Sequence, residues 1–329
     1  MAATSASPIP VASIPVAPIP VAPIPVAMTI AGSDSGGGAG IQADLRTFAF
    51  HQVHGTSTLT CITAQNTLGV TRVDALPPEA VTAQIQAVVV DIGVQAVKTG
   101  MLLNQAIITA VADQAEGLPL PNLVVDPVMV SRTGAQLINN EAILSLRERL
   151  IPLATVLTPN RYEAQLLSDL EINTLEDMQL AAERILKLGA QAVLVKGGGM
   201  LGDLRGVDVW FDGERLEVLR TATIDTSDTH GTGCTLSAAI AANLAKGEDR
   251  FAAVNLAKAY VTTALRYALR IGQGQGPVGH FFPYLRCRIR SQEPSQEPNH
   301  DQRHNATARR DWIPDCPLPF SGNAQRRHC

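Results

Sequence analysis

From Met28 to Ile271 short β-rich runs alternate with segments of helical period, and this alternation restricts the fold more than any other feature. The runs cover residues 28–31, 57–62, 94–99, 122–127, 155–158 and 192–196. Helical spacing falls between them, over residues 41–50, 81–89, 107–115, 141–150 and 175–188, with another helix opening at Pro159-Asn160-Arg161. Two further helices read over 232–245 and 250–271. Strands that alternate with helices build a mostly parallel sheet covered on both faces. The expected fold is therefore α/β, a three-layer α/β/α sandwich. Residues 207–211 and 216–219 flank Asp212-Gly213, a hairpin signal that adds an antiparallel edge.

The alternation has sharp limits. Before it, Pro-Ile-Pro-Val-Ala recurs from Pro8 to Ala27, with Ser13 once in place of the proline. Proline this frequent excludes a helix or a central strand, so residues 1–27 read as a Pro-rich, disordered extension. After Tyr284 no period survives, and residues 285–329 read as a disordered tail. Residues 28–284 form the expected domain. With 46% apolar and 17% charged residues, the chain suits a core-forming protein. A net charge of −4 gives no global reason to expect nucleic acid or a membrane surface as partner. The cysteines at 61, 234, 287, 316 and 329 are far apart and show no C-x-x-C spacing. This usage fits a reducing cytoplasm. No apolar run is long enough to span a bilayer.

In a parallel α/β sheet, ligands bind beyond the carboxyl ends of the strands. Polar motifs fall at that edge one after another: Gly32 to Gly40, Gln65-Asn66, Thr99-Gly100-Met101, Asp126, Asn160 with Glu163, and Lys196 with three glycines. The Gly32–Gly40 loop matches neither G-x-G-x-x-G nor a P-loop, since no lysine follows it; it reads as a loop packed on a small substrate. Asp44, one turn beyond, either accepts hydrogen bonds from an amino or hydroxyl group or faces solvent. Asp126 and Glu163 suit Mg²⁺ held through water; Glu163 also reads as an acid at a helix N-terminus. Lys196 either neutralises phosphate charge or lies along the surface. Finally, Thr229-His230-Gly231-Thr232-Gly233-Cys234 opens a helix. Unpaired amides at the positive end of the helix dipole make an anion site there. Cys234 sits in that first turn, where thiol pKa values fall, and reads either as a proton acceptor or as packing. His230 is the second candidate for the proton.

Residues 31–45, Ala-Gly-Ser-Asp-Ser-Gly-Gly-Gly-Ala-Gly-Ile-Gln-Ala-Asp-Leu, together with Thr63-Ala64-Gln65-Asn66-Thr67 and the 229–234 stretch, resemble the hydroxymethylpyrimidine/phosphomethylpyrimidine kinases of thiamine biosynthesis, in the ribokinase superfamily. The resemblance covers about residues 28–282. It implies a ribokinase-like sandwich and a homodimer. It also implies Mg-ATP-dependent phosphorylation of 4-amino-5-hydroxymethyl-2-methylpyrimidine to the monophosphate and then the diphosphate. By motif match, Gly32, Asp44, Gln65, Met101 and Val128 would line the pyrimidine pocket. Gly231, Thr232 and Gly233 would form the anion hole beside Cys234, Lys196 would hold ATP phosphates, and Asp126, Asn160 and Glu163 the metal. Residues 34–36 read Asp-Ser-Gly where many members read Asp-Pro-Ser. Pyridoxal and pyridoxine kinases share the thiol and the fold, and a non-catalytic pyrimidine sensor would share the pocket.

Overall fold

A computed structural model describes residues 23–129 and 136–285. Most of the Pro-rich run and nearly all of the tail lie outside the described residues. The first strand, β1 (Val26–Asp34), starts two residues ahead of Met28, and Ala27 is fully buried in it. Helix α1 (Gly40–Phe50) follows, then β2 (His54–Gln65), β3 (Val70–Ala75) and α2 (Pro78–Asp91). Next come β4 (Ala96–Thr99), α3 (Gln105–Gly117), β5 (Leu123–Val125), α4 (Asn140–Ser145) and β6 (Val156–Leu157). The remainder is α5 (Arg161–Ser168), α6 (Leu175–Leu186), β7 (Val193–Val195), β8 (Asp208–Phe211), β9 (Leu216–Leu219), α7 (Thr232–Ala245) and α8 (Arg250–Arg266).

Among the described residues nine strands form one sheet, ordered β3-β2-β1-β4-β5-β6-β7-β8-β9. The pairs from β2 through β7 are parallel, while β3, β8 and β9 join antiparallel. Side chains of the inner strands alternate between two apolar cores. Met28, Val97, Val125 and Leu157 face the core shared with α2 to α6; Ala27, Ala96, Val124 and Val156 face the one shared with α1, α7 and α8. Apolar residues on both faces are what a sandwiched parallel strand requires. The chain leaves β1 in one direction along the sheet, to β2, and proceeds from β4 to β7 in the other. The crevice beyond β1 and β4 is therefore the topological switch point, where such sheets bind ligands.

Three departures from the sequence reading have local causes. Strand β3 is exposed along its whole length, so it carried no apolar alternation. The helix read over 141–150 is interrupted: α4 gives way to a π turn at Leu146–Leu150 and a 3-10 turn at Ile151–Leu153, where Pro152 removes a helical donor. Helix α8 stops at Arg266 rather than 271. Helix α7 is buried from Thr235 through Ala245 and packs on β1, β4 and β5. A helix apolar all round has to be enclosed, and this enclosure carries its first turn to the switch point.

Candidate active site

Strand β1 ends on Asp34, and the glycine loop folds around that carboxylate. Oδ1 accepts from the amide of Gly36 at 2.8 Å; Oδ2 accepts from the amides of Gly38 at 3.0 Å and Ala39 at 2.8 Å. His230 Nε2 also donates to Oδ2, at 2.9 Å, and so ties the loop after β1 to the stretch before α7. Burial works to raise the Asp34 carboxyl, but these donors outweigh it and hold it below its ordinary value. The two loops meet at glycines. A Cβ on Gly231 would stand 1.9 Å from the carbonyl oxygen of Gly38, and its φ of +79° is itself unfavourable for other residues. A Cβ on Gly38 would stand 2.2 Å from the His230 ring. Sequence reasoning missed Asp34 and Gly38. Their signal was an Asp with glycines two and four residues on, the pattern of a side chain that bonds its own following backbone.

Of the expected acceptor residues, Gly32, Met101 and Gln65 lie beside this clamp. Gly32 lies against Met101 and Cys61: a Cβ there would come within 3.0 Å of Met101 Cε and 2.6 Å of Cys61 Sγ. Gln65 closes β2, and its amide donates to Ser35 Oγ at 2.8 Å. Its Nε2 lies 3.3 Å from His230 Nε2. A carboxylate only accepts, so His230 Nε2 carries the proton toward Asp34 and has no lone pair for Gln65. The carboxamide nitrogen of Gln65 therefore remains open to a ligand. Asp44 does not face solvent. It is fully buried, with Oδ2 accepting from Lys98 Nζ at 2.7 Å and Thr29 Oγ1 at 2.6 Å. Val128 is half-buried two residues beyond Asp126, just before residues 130–135, which lie outside the described residues.

The opposite side is built from charges. Asp126 follows β5 and is buried; Lys196 follows β7 and donates to Asp126 Oδ1 at 2.7 Å. Thr158 Oγ1 donates to the same oxygen at 3.2 Å, and Ser237 Oγ, from α7, to Oδ2 at 3.3 Å. Gly233 faces this pair. A Cβ on it would lie 3.5 Å from Lys196 Nζ and 3.8 Å from Asp126 Oδ2, with no backbone nearer. Burial pulls the Lys196 ammonium down, but the charges of Asp126 and Glu163 more than reverse this. Burial likewise opposes ionisation of Asp126, and Lys196 and Lys98 outweigh it. Thr232, next to Gly233, donates its hydroxyl to Thr229 O at 2.6 Å, which closes the turn.

Asn160 and Glu163 form a capping box on α5. The Asn160 side chain accepts from the Glu163 amide at 3.1 Å, and Glu163 Oε2 accepts from the Asn160 amide at 2.7 Å. Burial pushes the Glu163 carboxyl up to about 8; Lys196 opposes the shift and Asp126 adds to it. Among the described residues no three His, Cys, Asp or Glu side chains converge on a point that could hold a metal. The acidic pair near Lys196 instead suits an ion that arrives with phosphates and keeps much of its water.

One expectation is reversed. Cys234 sits in the first turn of α7, yet its thiol lies above the ordinary range, not below. Burial pushes it up to about 11, against the nearby Lys98 charge and a hydrogen bond from the Gly40 amide. Desolvation of a thiolate between two packed helix N-termini exceeds what a helix end returns. At neutral pH the group is a thiol. Elsewhere, a cavity of about 440 Å³ opens at the amino end of the sheet, lined by Val89, Val94, Leu118 and neighbouring prolines. It contains no titratable side chain and lies away from the polar edge.

The phosphomethylpyrimidine kinase family model matches residues 34–279. A hydroxymethylpyrimidine/phosphomethylpyrimidine kinase of Synechococcus elongatus is 63% identical over 257 residues, covering 78% of this chain and 97% of that protein. Among solved structures, the ADP complex of Bacillus subtilis pyridoxal kinase superposes with a TM-score of 0.75 at 43% identity, covering 80% of this chain and all of that one. Phosphomethylpyrimidine kinase from Clostridium difficile gives 0.67 at 42% identity, covering 73% and 99%. With its ribokinase-like sheet and the clamped loops at the switch point, the chain belongs to the phosphomethylpyrimidine kinase family.

Proposed function

We propose that this chain uses ATP to phosphorylate 4-amino-5-hydroxymethyl-2-methylpyrimidine and then its monophosphate, the two kinase steps that supply the pyrimidine diphosphate of thiamine biosynthesis. The observation that carries the reading is the first turn of α7, with Gly233 open toward Lys196 and Asp126 on one side and Gly231 locked onto the loop after β1 on the other. That turn stands between an acceptor side and a donor side.

In this reading Gly32, Asp44, Gln65, Met101 and Val128 hold the pyrimidine. Gln65 offers a donor and an acceptor to a ring nitrogen and its amino group. The hydroxymethyl oxygen attacks the γ-phosphorus in line. One O–P bond forms as the bond to ADP breaks, and the hydroxyl proton is released. Transition states of this kind are loose, so position and charge matter more than a strong base. The amides of Gly231, Thr232 and Gly233, with Lys196, stabilise charge on the phosphoryl oxygens. Cys234, neutral at rest, orients the hydroxyl by hydrogen bonding and, as the bond to phosphorus forms, takes up the hydroxyl proton while its own S–H proton passes to a phosphoryl oxygen, so that it ends as it began. Bound with the nucleotide, Mg²⁺ would neutralise phosphate charge. Asp126 and Glu163 would hold its water, and Asn160 would set Glu163 through the capping box.

A homodimer in the cytoplasm is the setting the family resemblance supports. Edge strand β3, exposed along its length, offers a surface for a second copy; sedimentation velocity at two concentrations tests the assembly. Among the described residues no helix is long and apolar enough to cross a membrane.

Mass analysis of products after incubation with Mg-ATP and the pyrimidine alcohol tests the function. Monophosphate followed by diphosphate is expected. A single phosphorylation of pyridoxal, with no pyrimidine diphosphate, would favour the vitamin B6 reading. Ligand binding without ATP consumption would favour a sensor.

A further inference from the structure

Lys98 is a fully buried lysine that the reaction above does not use. It lies in β4, and its ammonium meets Asp44 Oδ2 at 2.7 Å with both side chains inaccessible to solvent. The strand end is kept small around it: a Cβ on Gly100 would stand 2.9 Å from Nζ, and the next residue is Met101. Thr29 Oγ1 donates to the same Asp44 oxygen, at 2.6 Å. Two donors thus converge on Oδ2, while Oδ1 of Asp44 is buried with no hydrogen-bond partner. A carboxylate oxygen buried without a partner is costly unless something supplies a donor.

A buried ion pair is a poor device for stability alone, because apolar residues of similar volume usually do as well. The position of this one suggests a different use. Asp44 stands one turn into α1, whose first residue, Gly40, packs on the backbone of Gly32: a Cβ there would come within 2.3 Å of the Gly32 carbonyl oxygen. The charge of Lys98 is also felt by Cys234 in the first turn of α7.

We propose that Lys98 is a positioning residue of the acceptor site. By pinning Oδ2 of Asp44, its ammonium fixes the carboxylate with Oδ1 held as the acceptor for an N–H or O–H group of the bound aromatic alcohol. The inference rests on the acceptor-site reading above. It adds that the specificity of that site for a hydrogen donor is set from beneath, by a residue that never touches the ligand.

The test uses the full chain, with Lys98→Met and the double variant Asp44→Asn/Lys98→Met, in steady-state assays with the pyrimidine alcohol and Mg-ATP. Lys98→Met is expected to raise the alcohol KM about tenfold or more, the loss of a well-aligned hydrogen bond to a charged group. The ATP KM should stay within about twofold. In the double variant neither member of this pair carries a charge, so the melting temperature should recover while the alcohol KM stays high. That variant carries the test if Lys98→Met alone does not fold. An unchanged alcohol KM in folded Lys98→Met, or recovery of both melting temperature and KM in the double variant, would make Lys98 purely structural and overturn the proposal. Failure of the unmodified chain to phosphorylate the alcohol would instead defeat the acceptor-site reading, which is a separate result.

Discussion

Two lysine–aspartate pairs act on the first turn of α7, with the same 2.7 Å separation and opposite surroundings. Lys98 and Asp44 are both 0% exposed, whereas Lys196 keeps 13% of its side chain open beside an Asp126 that is 4% exposed. The closed pair is enclosed by β1, β4 and α1. The open pair bridges the ends of β5 and β7 and faces Gly233, where the missing side chain leaves room. The comparison separates two uses of one contact. A sealed pair can fix geometry but cannot meet an incoming anion; a pair whose lysine keeps one edge open can exchange its partner for one. Lys196 can swing part of its charge from Asp126 to a phosphate, while Lys98 donates to Asp44 in a place closed to solvent.

The largest effects should pull the two pairs apart. Lys98→Met leaves a carboxylate buried without its cation, and breaking such a pair costs about 3–5 kcal/mol of stability. Urea unfolding checks it, and a loss under about 1 kcal/mol would mean that the site is wetter than its burial implies. Lys196→Met should do the reverse. Turnover should fall by about 100- to 1,000-fold, comparable to removing one preorganised donor from an anion hole, while the melting temperature falls less than in Lys98→Met because Asp126 keeps the Thr158 and Ser237 hydroxyls and the nearby Lys98 charge. If Lys196→Met unfolded the chain and Lys98→Met spared it, the contrast between sealed and open pairs would be wrong.

The sequence disclosed the open pair more readily than the sealed one, for a physical reason. Lys196 ends an apolar strand and is followed by glycines, and Asp126 precedes a proline; both lie where a parallel sheet displays its ligand residues. Lys98 also ends a strand, but its partner is 54 positions earlier on a helix. Only the packing of α1 on β1 brings them together, so Asp44 read equally as a solvent-facing acid. The fold followed from alternation because strands buried on both faces are apolar on both faces. β3 escaped because an edge strand exposed along its length need not be. The Cys234 thiol was misjudged for a related reason. The helix N-terminus is visible in the sequence, but the burial that dominates the thiol follows from tertiary packing, including α1 against α7, which no local pattern discloses. Ser237 and Thr158, which complete the Asp126 cage, carry no signature of their own.

The clamp between loops should give a smaller effect than either pair. His230→Ala removes one of four donors to the Asp34 carboxylate. Its loss should cost about 1.5–3 kcal/mol, the range for a hydrogen bond to a charged group. The sign of the pH dependence follows from Asp34. Its carboxyl is held below the unfolded value of 3.8, so its contribution is present above about that pH and disappears as pH falls through the folded value. Without His230 the folded value moves back toward 3.8, so the stability profiles of the two proteins should lie apart above that pH and converge as Asp34 is protonated in both. Parallel curves would mean that the loop amides hold Asp34 unaided.

Near pH 5 the smallest effect belongs to Glu163, and its pH dependence runs opposite to that of Asp34. Here burial raises the carboxyl from 4.5 to about 8, so the folded state binds a proton that the unfolded state releases. Stability linked to this group is therefore complete below about pH 4.5 and declines as pH rises through 8. Glutamine is neutral at every pH and can still accept from the Asn160 amide in the capping box. Glu163→Gln should thus be close to neutral near pH 5 and relatively more stable than the parent near pH 9, with a flatter profile between. The same variant addresses the donor side, because Glu163 would lose the charge that Lys196 and a nucleotide-borne ion would share. If added Mg-ATP lifts the melting temperature of the parent more than that of Glu163→Gln at pH 9, and equally at pH 5, then ionised Glu163 belongs to the nucleotide site. An equal lift at both values would assign the residue to the helix cap alone.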